Sequence, residues 1–187
     1  MLGRLRPFLS KILNPIASSI NINPNIITLI SPFICIIAAY CFYQQNLLAG
    51  ALLILLSGFL DVLDGAIARY HNRNSDFGAL LDSTVDRFAD CIIVIGLIFG
   101  GYCDWFLGIL LIHSALTISY VKARAEGLGT TCNTGIAERA VRLIIIMIGA
   151  CIGMINPIYF TYILVFLMII SYFTVLQRVL HVHNKLK

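Results

Sequence analysis

The sequence predicts an all-α integral membrane protein with six transmembrane helices and an N-terminal amphipathic helix that lies along the membrane surface. Composition is the first observation behind this fold class. Of the 187 residues, 59% are hydrophobic and 12% are charged, whereas a soluble domain has about 25% charged residues. The mean hydropathy is +0.92, so several segments must face lipid, and a soluble enzyme is excluded.

The N-terminal segment has the pattern of an interfacial helix. Leucine and isoleucine recur at helical spacing, whereas Arg4, Arg6 and Lys11 fall on the opposite face. An amphipathic pattern with basic residues on its polar side is typical of a helix that lies in the membrane surface. We therefore predict a juxtamembrane amphipathic helix over residues 1–22 and a membrane domain over residues 23–187.

Six apolar runs follow the N-terminal segment, and each is long enough to cross the hydrocarbon core of a bilayer. They occupy about residues 26–43, 47–69, 79–101, 105–123, 138–155 and 158–180. Six such runs use nearly all of the remaining chain. A sizeable soluble domain is therefore not expected.

The basic residues predict how the helices are oriented. The connections at residues 44–46, 100–104 and 153–157 contain no lysine or arginine. The N-terminus, the connections at residues 69–78 and 122–137, and the C-terminal tail hold or adjoin all 13 basic residues. With six spans these two groups alternate between sides, so the positive-inside rule places both termini in the cytoplasm of a multi-pass cell-membrane protein. The positive charge gives no further support for a nucleic-acid partner.

Four carboxylates lie where the second and third spans approach their cytoplasmic connection. Asp61 and Asp64 are three residues apart, and Asp82 and Asp86 are four apart, so each pair projects from one helix face. An antiparallel hairpin would bring the four to one depth, with Asp61 and Asp86 about 12 Å from the loop ends of their helices. Clustered carboxylates repel one another and are costly in a low dielectric, so they need a counter-charge. An all-oxygen set of this density suits Mg²⁺ or Mn²⁺.

The alternative to a metal site is a set of ion pairs with the nearby Arg69, Arg73 or Arg87. Because ionisable residues inside membranes are costly and usually functional, we favour metal. The pattern gives Asp90, one turn beyond Asp86, no definite role. Small residues beside the acids would let a base or pyrophosphate approach the helix backbones, although close helix packing would also explain them. They are Gly58, Gly65, Ala66, Ala68, Gly78 and Ala79.

The segment from Asp61 to Asp86 resembles the signature of the CDP-alcohol phosphatidyltransferases, D-x-x-D-G-x-x-A-R-x(8)-G-x(3)-D-x(3)-D. All eight fixed positions and every spacing match. The resemblance implies two divalent cations, Mg²⁺ or Mn²⁺, that bind the pyrophosphate of a CDP-linked lipid. Their ligands would be Asp61, Asp64, Asp82 and Asp86, and Asp86 would also be the general base. The residues at positions of CDP contacts are Ile26, Ile27, Thr28, Leu29, Gly65, Ala68, Arg69, Ser75 and Gly78.

A second group of residues bears on the acceptor alcohol. Basic residues near the cytoplasmic ends of the last three spans look like a phosphate pocket, although cations that snorkel from helix ends would give a similar pattern. They are Lys122, Arg124, Arg139, Arg142 and Arg178. The stretches around Lys122 and Arg142 resemble the branch that uses inositol 1-phosphate, the phosphatidylinositol-phosphate and archaetidylinositol-phosphate synthases. This resemblance implies that Lys122, Arg142 and Arg178 hold the acceptor phosphate, with Arg139 and Arg124 as supports.

The sequence thus predicts a membrane transferase that moves the phosphatidyl-type group of CDP-archaeol or CDP-diacylglycerol to inositol 1-phosphate and releases CMP at a cytoplasmic active site. The family resemblance also implies a homodimer. Glycerol 3-phosphate is the alternative acceptor. A divalent-cation channel or transporter is a more distant alternative, which would require a polar path past the apolar residues 52–56 and 92–98.

Overall fold

The structure, a computed structural model, describes Leu13 and residues 15–187 of the chain. Six long helices form most of it: α1 Pro24–Tyr43, α2 Leu47–Tyr70, α3 Asp76–Phe99, α4 Trp105–Gly127, α5 Arg139–Gly153 and α6 Pro157–Leu186. Leu13 and residues 15–19 are also helical. Residues 1–12 and Asn14 of the amphipathic helix predicted over residues 1–22 lie outside the described residues. The six helices match the six predicted apolar runs.

Polar side chains set the starting points of five of the six helices. Each accepts a hydrogen bond from a backbone N–H of the first turn, which the helix itself cannot satisfy. These capping residues are Asn23, Asn46, Ser75, Asp104 and Asn156. Ser75 explains why α3 begins at Asp76, before the predicted start at residue 79, because its hydroxyl accepts from the Gly78 N–H at 3.0 Å.

The helices pack in a closed ring. The principal contacts join α1 to α2, α2 to α5, α5 to α6, α6 to α4, α4 to α3 and α3 back to α1. Helix α1 packs against both α2 and α3, the two helices that carry the acids of the signature. With α1 beside both of them, α2 and α3 still bring the carboxylates of Asp61, Asp82 and Asp86 close together.

The interior of the ring is apolar in one half and polar in the other. Large buried side chains fill the apolar half, and they include Phe42, Ile54, Ile93, Leu97, Phe160 and Leu164. A smaller apolar cluster holds the short N-terminal stretch against α1 and α2 through Leu13, Ala17, Ile27, Leu63, Ala66 and Ile67. The packed apolar half argues against the polar path that the channel alternative requires.

The outer surface of the bundle is apolar, as expected for helices that face lipid. Phe33 and Phe106 are 65% and 71% exposed. Four helices, α1, α2, α4 and α6, are long and apolar enough to cross a membrane. Helix α3 has sufficient length but carries Asp82, Asp86 and Asp90, and α5 has 15 residues, which extend about 22 Å. The structure thus supports a multi-pass membrane protein.

Gly96 is required where α1 and α3 cross. A Cβ at this position would lie 2.5 Å from the Ala39 Cα, a backbone atom that cannot move aside alone. We expect Gly96→Ala to destabilise the protein by about 1–3 kcal/mol, measured as a lower thermal-unfolding midpoint in detergent. Gly58→Ala is the matched control, because nothing lies within 4 Å of its added Cβ. Equal midpoints for the two variants would contradict this packing account.

Candidate active site

The polar half of the bundle contains an acid cluster formed by Asp61 of α2 and by Asp82 and Asp86 of α3. One carboxylate oxygen from each residue lies within 4.8 Å of the other two. All three residues are partly buried. Three carboxylates that converge from two helices form an oxygen-rich site that suits a divalent cation. The spacing in the sequence predicted these three residues, and the ring of helices brings them together.

Asp64 lies beside this cluster and is held by α1. It is buried, and its Oδ2 accepts a hydrogen bond from the Thr28 hydroxyl at 2.6 Å. Thr28 is also buried. Because Thr28 precedes Asp64 by 36 residues, this bond fixes the acid-bearing helix α2 against α1 and orients the fourth carboxylate of the signature.

Removal of the Thr28 hydroxyl is expected to weaken divalent-cation binding. The net loss of one buried hydrogen bond to a carboxylate is about 1.5–3 kcal/mol, so Thr28→Val should raise the half-saturating Mn²⁺ concentration by about tenfold or more. Thr28→Ser retains the hydroxyl and serves as the control. The comparison is made by titrating Mn²⁺ against CMP release from a CDP-lipid. If the valine and serine variants titrate alike, Thr28 does not orient Asp64.

Arginine side chains supply counter-charge to the acids in the structure. Arg139, at the start of α5, lies 3.0 Å from Asp61 Oδ1 and 2.6 Å from Asp86 Oδ1 through its Nη1. Arg87 lies 3.3 Å from Asp86 Oδ2. Arg87 was predicted as a possible counter-ion, whereas Arg139 was predicted to support the acceptor phosphate. Arg139 therefore lies between the acid cluster and the other basic residues that were predicted to bind the acceptor phosphate.

A cavity of about 1020 Å³ joins the acid cluster to those basic residues. Asp82 and Asp86 line one part of it, and five cations line it together with Glu126 and Glu138. The cations are Arg87, Lys122, Arg139, Arg142 and Arg178. Ser83, Thr84, Ser119, Tyr120 and Asn133 add neutral polar groups to the wall. Arg124 is the exception among the predicted acceptor residues, because it is exposed on α4 and does not line this cavity.

The connection between α4 and α5 closes one side of the cavity and is fixed by α6. Arg178 donates to the carbonyl of Thr134 at 2.8 Å and to the carbonyl of Ile118 at 2.7 Å. The backbone N–H of Ala137 donates to the Thr174 hydroxyl at 3.0 Å. The guanidinium of Arg178 thus lines the cavity and also holds the connection between α4 and α5 in place through a hydrogen bond.

Several of the predicted CDP contacts lie at or near the connection between α2 and α3. Ser75 caps α3, and a Cβ on Gly78 would lie 3.0 Å from the Ser75 hydroxyl oxygen. A Cβ on Gly65 would lie 3.1 Å from Arg69 Nη1, so this glycine leaves space for the exposed arginine. Arg73 lies apart from the acids, since its guanidinium donates to Asn21 Oδ1 at 2.7 Å.

The remaining predicted CDP contacts lie on two helices. Ile27 is buried beside Thr28 in α1, whereas Ile26 and Leu29 face outwards. Ala68 of α2 is half-buried one turn from Asp64.

Asp90 is a buried acid of the site whose contacts were not predicted from the sequence. It is 8% exposed, and its Oδ2 accepts a hydrogen bond from Arg142 Nη2 at 2.5 Å. The available signal was its position one turn beyond Asp86 in a membrane helix, where a carboxylate needs a partner. The partner could not be found from the sequence because Arg142 is 52 residues away.

Comparison with known proteins supports the resemblance seen in the signature. An archaetidylinositol phosphate synthase of Methanothermobacter thermautotrophicus is 43% identical over 188 residues, which cover 100% of this chain and 96% of that protein. A phosphatidylinositol phosphate synthase of Mycobacteroides abscessus is 35% identical over 155 residues, 78% of this chain and 70% of that protein.

Solved structures show the same fold. The phosphatidylinositol phosphate synthase of Mycobacterium tuberculosis with CDP-DAG bound has a TM-score of 0.82 and 31% identity, with 92% of this chain and 94% of that chain covered. The same enzyme in complex with manganese and citrate has a TM-score of 0.81, with 91% and 88% covered. Residues 21–181 match the CDP-alcohol phosphatidyltransferase family. The acid cluster, the fold and these matches agree, and the chain belongs to the CDP-alcohol phosphatidyltransferases, a family of membrane transferases.

Proposed function

We propose that this enzyme transfers the phosphatidyl-type group of a CDP-linked lipid to inositol 1-phosphate, giving a lipid-linked inositol phosphate and CMP. The observation that carries the proposal is the shared cavity, which is lined by Asp82 and Asp86 and also by the three cations predicted to hold the acceptor phosphate. The cations are Lys122, Arg142 and Arg178. A donor pyrophosphate and a phosphorylated alcohol can meet only if both have counter-charge in one space.

The donor would bind at the acid cluster. Asp61, Asp82 and Asp86, with Asp64 beside them, would hold two divalent cations, Mg²⁺ or Mn²⁺. These ions would neutralise the pyrophosphate and stabilise the departing CMP. Thr28, Gly65, Arg69, Ser75 and Gly78 lie around the cluster or the adjoining connection, as expected of residues that contact the nucleotide. Ile26, Ile27, Leu29 and Ala68 would complete these contacts with CDP and the lipid.

The acceptor would bind in the basic part of the cavity. Lys122, Arg142 and Arg178 would hold its phosphate, and Arg139 would support them from the side of the acid cluster. We retain Arg124 only as a more distant support, because it does not line the cavity. Asp86 lines the cavity beside the cluster, so it can accept the proton of an alcohol that attacks the lipid-bearing phosphate.

We propose CDP-archaeol as the donor lipid and inositol 1-phosphate as the acceptor. Support comes from the relative that is 43% identical across this whole chain, which is named an archaetidylinositol phosphate synthase. Relatives named phosphatidylinositol phosphate synthases support the same acceptor with CDP-diacylglycerol as the alternative donor.

We further propose that all six helices cross the membrane, with the active site and both termini in the cytoplasm, and that the enzyme works as a homodimer. Residues 1–22 would form the interfacial segment and residues 23–187 the membrane domain. The one-sided distribution of basic residues supports this orientation. In a variant whose six native cysteines have been replaced, single cysteines introduced at position 45 and position 73 test it, because only the second should react with a membrane-impermeant thiol reagent from the cytoplasmic side.

An acceptor comparison tests the proposed reaction. Purified enzyme with CDP-archaeol and Mn²⁺ would receive inositol 1-phosphate, glycerol 3-phosphate, serine or free inositol in parallel, with CMP release as the measurement. We expect release with inositol 1-phosphate and a lipid product that retains the inositol phosphate mass. Release with glycerol 3-phosphate alone would overturn the acceptor assignment and leave the family assignment intact.

A further inference from the structure

Asp90 contacts both functional parts of the site. One carboxylate oxygen, Oδ2, accepts from Arg142 Nη2 at 2.5 Å, and the other, Oδ1, lies 3.6 Å from Arg139 Nε. Arg142 lines the acceptor cavity, whereas Arg139 contacts the acid cluster through its Nη1. The buried carboxylate of Asp90 therefore lies between Arg142, which lines the cavity, and Arg139, which contacts the acid cluster.

Arg142 has few other contacts that could orient it. Its Nη1 donates to the carbonyl of Ala137 at 3.0 Å, and the residue is 6% exposed. Asp90 and this carbonyl thus fix the plane of the guanidinium from two sides. Loss of the Asp90 charge would leave Arg142 with one neutral acceptor and allow the side chain to turn away from the cavity.

The acid cluster accepts hydrogen bonds from only part of the Arg139 guanidinium. Its Nε and Nη2 are buried and have no hydrogen-bond partner among the described residues. The oxygens that its Nη1 contacts belong to Asp61 and Asp86, which also belong to the group able to hold a metal ion. Arg139 and a divalent cation would therefore compete for the carboxylates of Asp61 and Asp86. When a cation binds these two carboxylates, Arg139 can turn towards Asp90.

We infer that Asp90 is a positioning residue that aims Arg142 at the acceptor phosphate and draws Arg139 away from the metal-binding carboxylates. The inference rests on the proposed function for its acceptor half, whereas its metal half rests on the acid cluster alone. A buried ion pair that served only for stability would leave both substrate binding and metal binding unchanged.

The test uses Asp90→Asn, which keeps the shape of the side chain and removes its charge. Asp76→Asn, on an exposed acid of the same helix, is the matched control. We expect Asp90→Asn to raise KM for inositol 1-phosphate by about tenfold or more, the effect of losing a hydrogen bond between charged groups, with KM for the CDP-lipid unchanged. Asp90→Glu restores the charge and should recover part of the acceptor affinity.

Mn²⁺ binding without substrates gives an independent measurement. Electron paramagnetic resonance of free Mn²⁺ should show weaker binding to Asp90→Asn than to the wild type, because Arg139 would remain on Asp61 and Asp86. Arg139→Gln should bind Mn²⁺ more tightly, and adding Asp90→Asn to that variant should then have no further effect.

These measurements separate the inference from the proposed function. If wild-type enzyme uses another acceptor, the proposed function fails, and KM is measured for the acceptor that it does use. If Asp90→Asn only lowers the thermal-unfolding midpoint, and both the acceptor KM and Mn²⁺ binding match the control, Asp90 has a structural role and the inference is wrong.

Discussion

Asp86→Asn is expected to lower the rate of CMP release by about 10²–10⁴-fold, the range that a positioned general acid or base contributes. Asp86 belongs to the cluster, lines the cavity and contacts Arg139. The asparagine keeps the size of the side chain, but it cannot accept the proton of the attacking alcohol. It also removes one charged ligand from the proposed metal site.

The measurement must distinguish these two effects. Rates are compared at saturating Mn²⁺, and binding of the CDP-lipid is measured separately by protection of the enzyme against thermal unfolding. We expect the variant to retain protection while turnover is lost. Asp76→Asn, which changes an exposed acid on the same helix, should have wild-type turnover. A near-normal rate for Asp86→Asn would exclude the residue as the general base.

Removal of divalent cations has the second large expected effect. A chelator such as EDTA should abolish CMP release, because the clustered carboxylates and the donor pyrophosphate would then repel one another, with only arginine side chains as counter-charge. Addition of Mn²⁺ or Mg²⁺ in excess of the chelator should restore the rate. Full activity in EDTA would contradict the assignment of Asp61, Asp82 and Asp86 as metal ligands.

Variants of individual acids test whether the requirement for divalent cations comes from the acid cluster. Asp61→Asn and Asp82→Asn should each require a higher Mn²⁺ concentration for half-maximal activity than the wild type. Asp104→Asn provides a control at the other end of the bundle, where this acid caps α4. The control should titrate with Mn²⁺ as the wild type does.

Much of this architecture could be predicted from the sequence because membrane helices obey local rules. Apolar runs of sufficient length and polar caps such as Asn23 and Asp104 locate the helices without knowledge of their neighbours. The spacing of Asp82 and Asp86 places both acids on one helix face for the same reason.

The remaining features depend on packing between distant segments. No local pattern shows that α1 packs against both α2 and α3, so the sequence could not predict the hydrogen bond between Thr28 and Asp64. Arg139 and Arg142 look alike in the sequence, yet one contacts Asp61 and the other contacts Asp90. Arg124 has the same local appearance and lies outside the cavity. Only the tertiary structure separates these roles.

The central claim is that the acceptor carries a phosphate, because the shared cavity contains cations that a neutral alcohol would not need. The most direct test is the ratio of kcat/KM for inositol 1-phosphate to kcat/KM for free inositol, measured with the same CDP-lipid and Mn²⁺. We predict a ratio of at least about 10², because free inositol lacks the charged hydrogen bonds that a phosphate would make in this cavity. A ratio near one would contradict the account by showing that Lys122, Arg142 and Arg178 do not bind an acceptor phosphate.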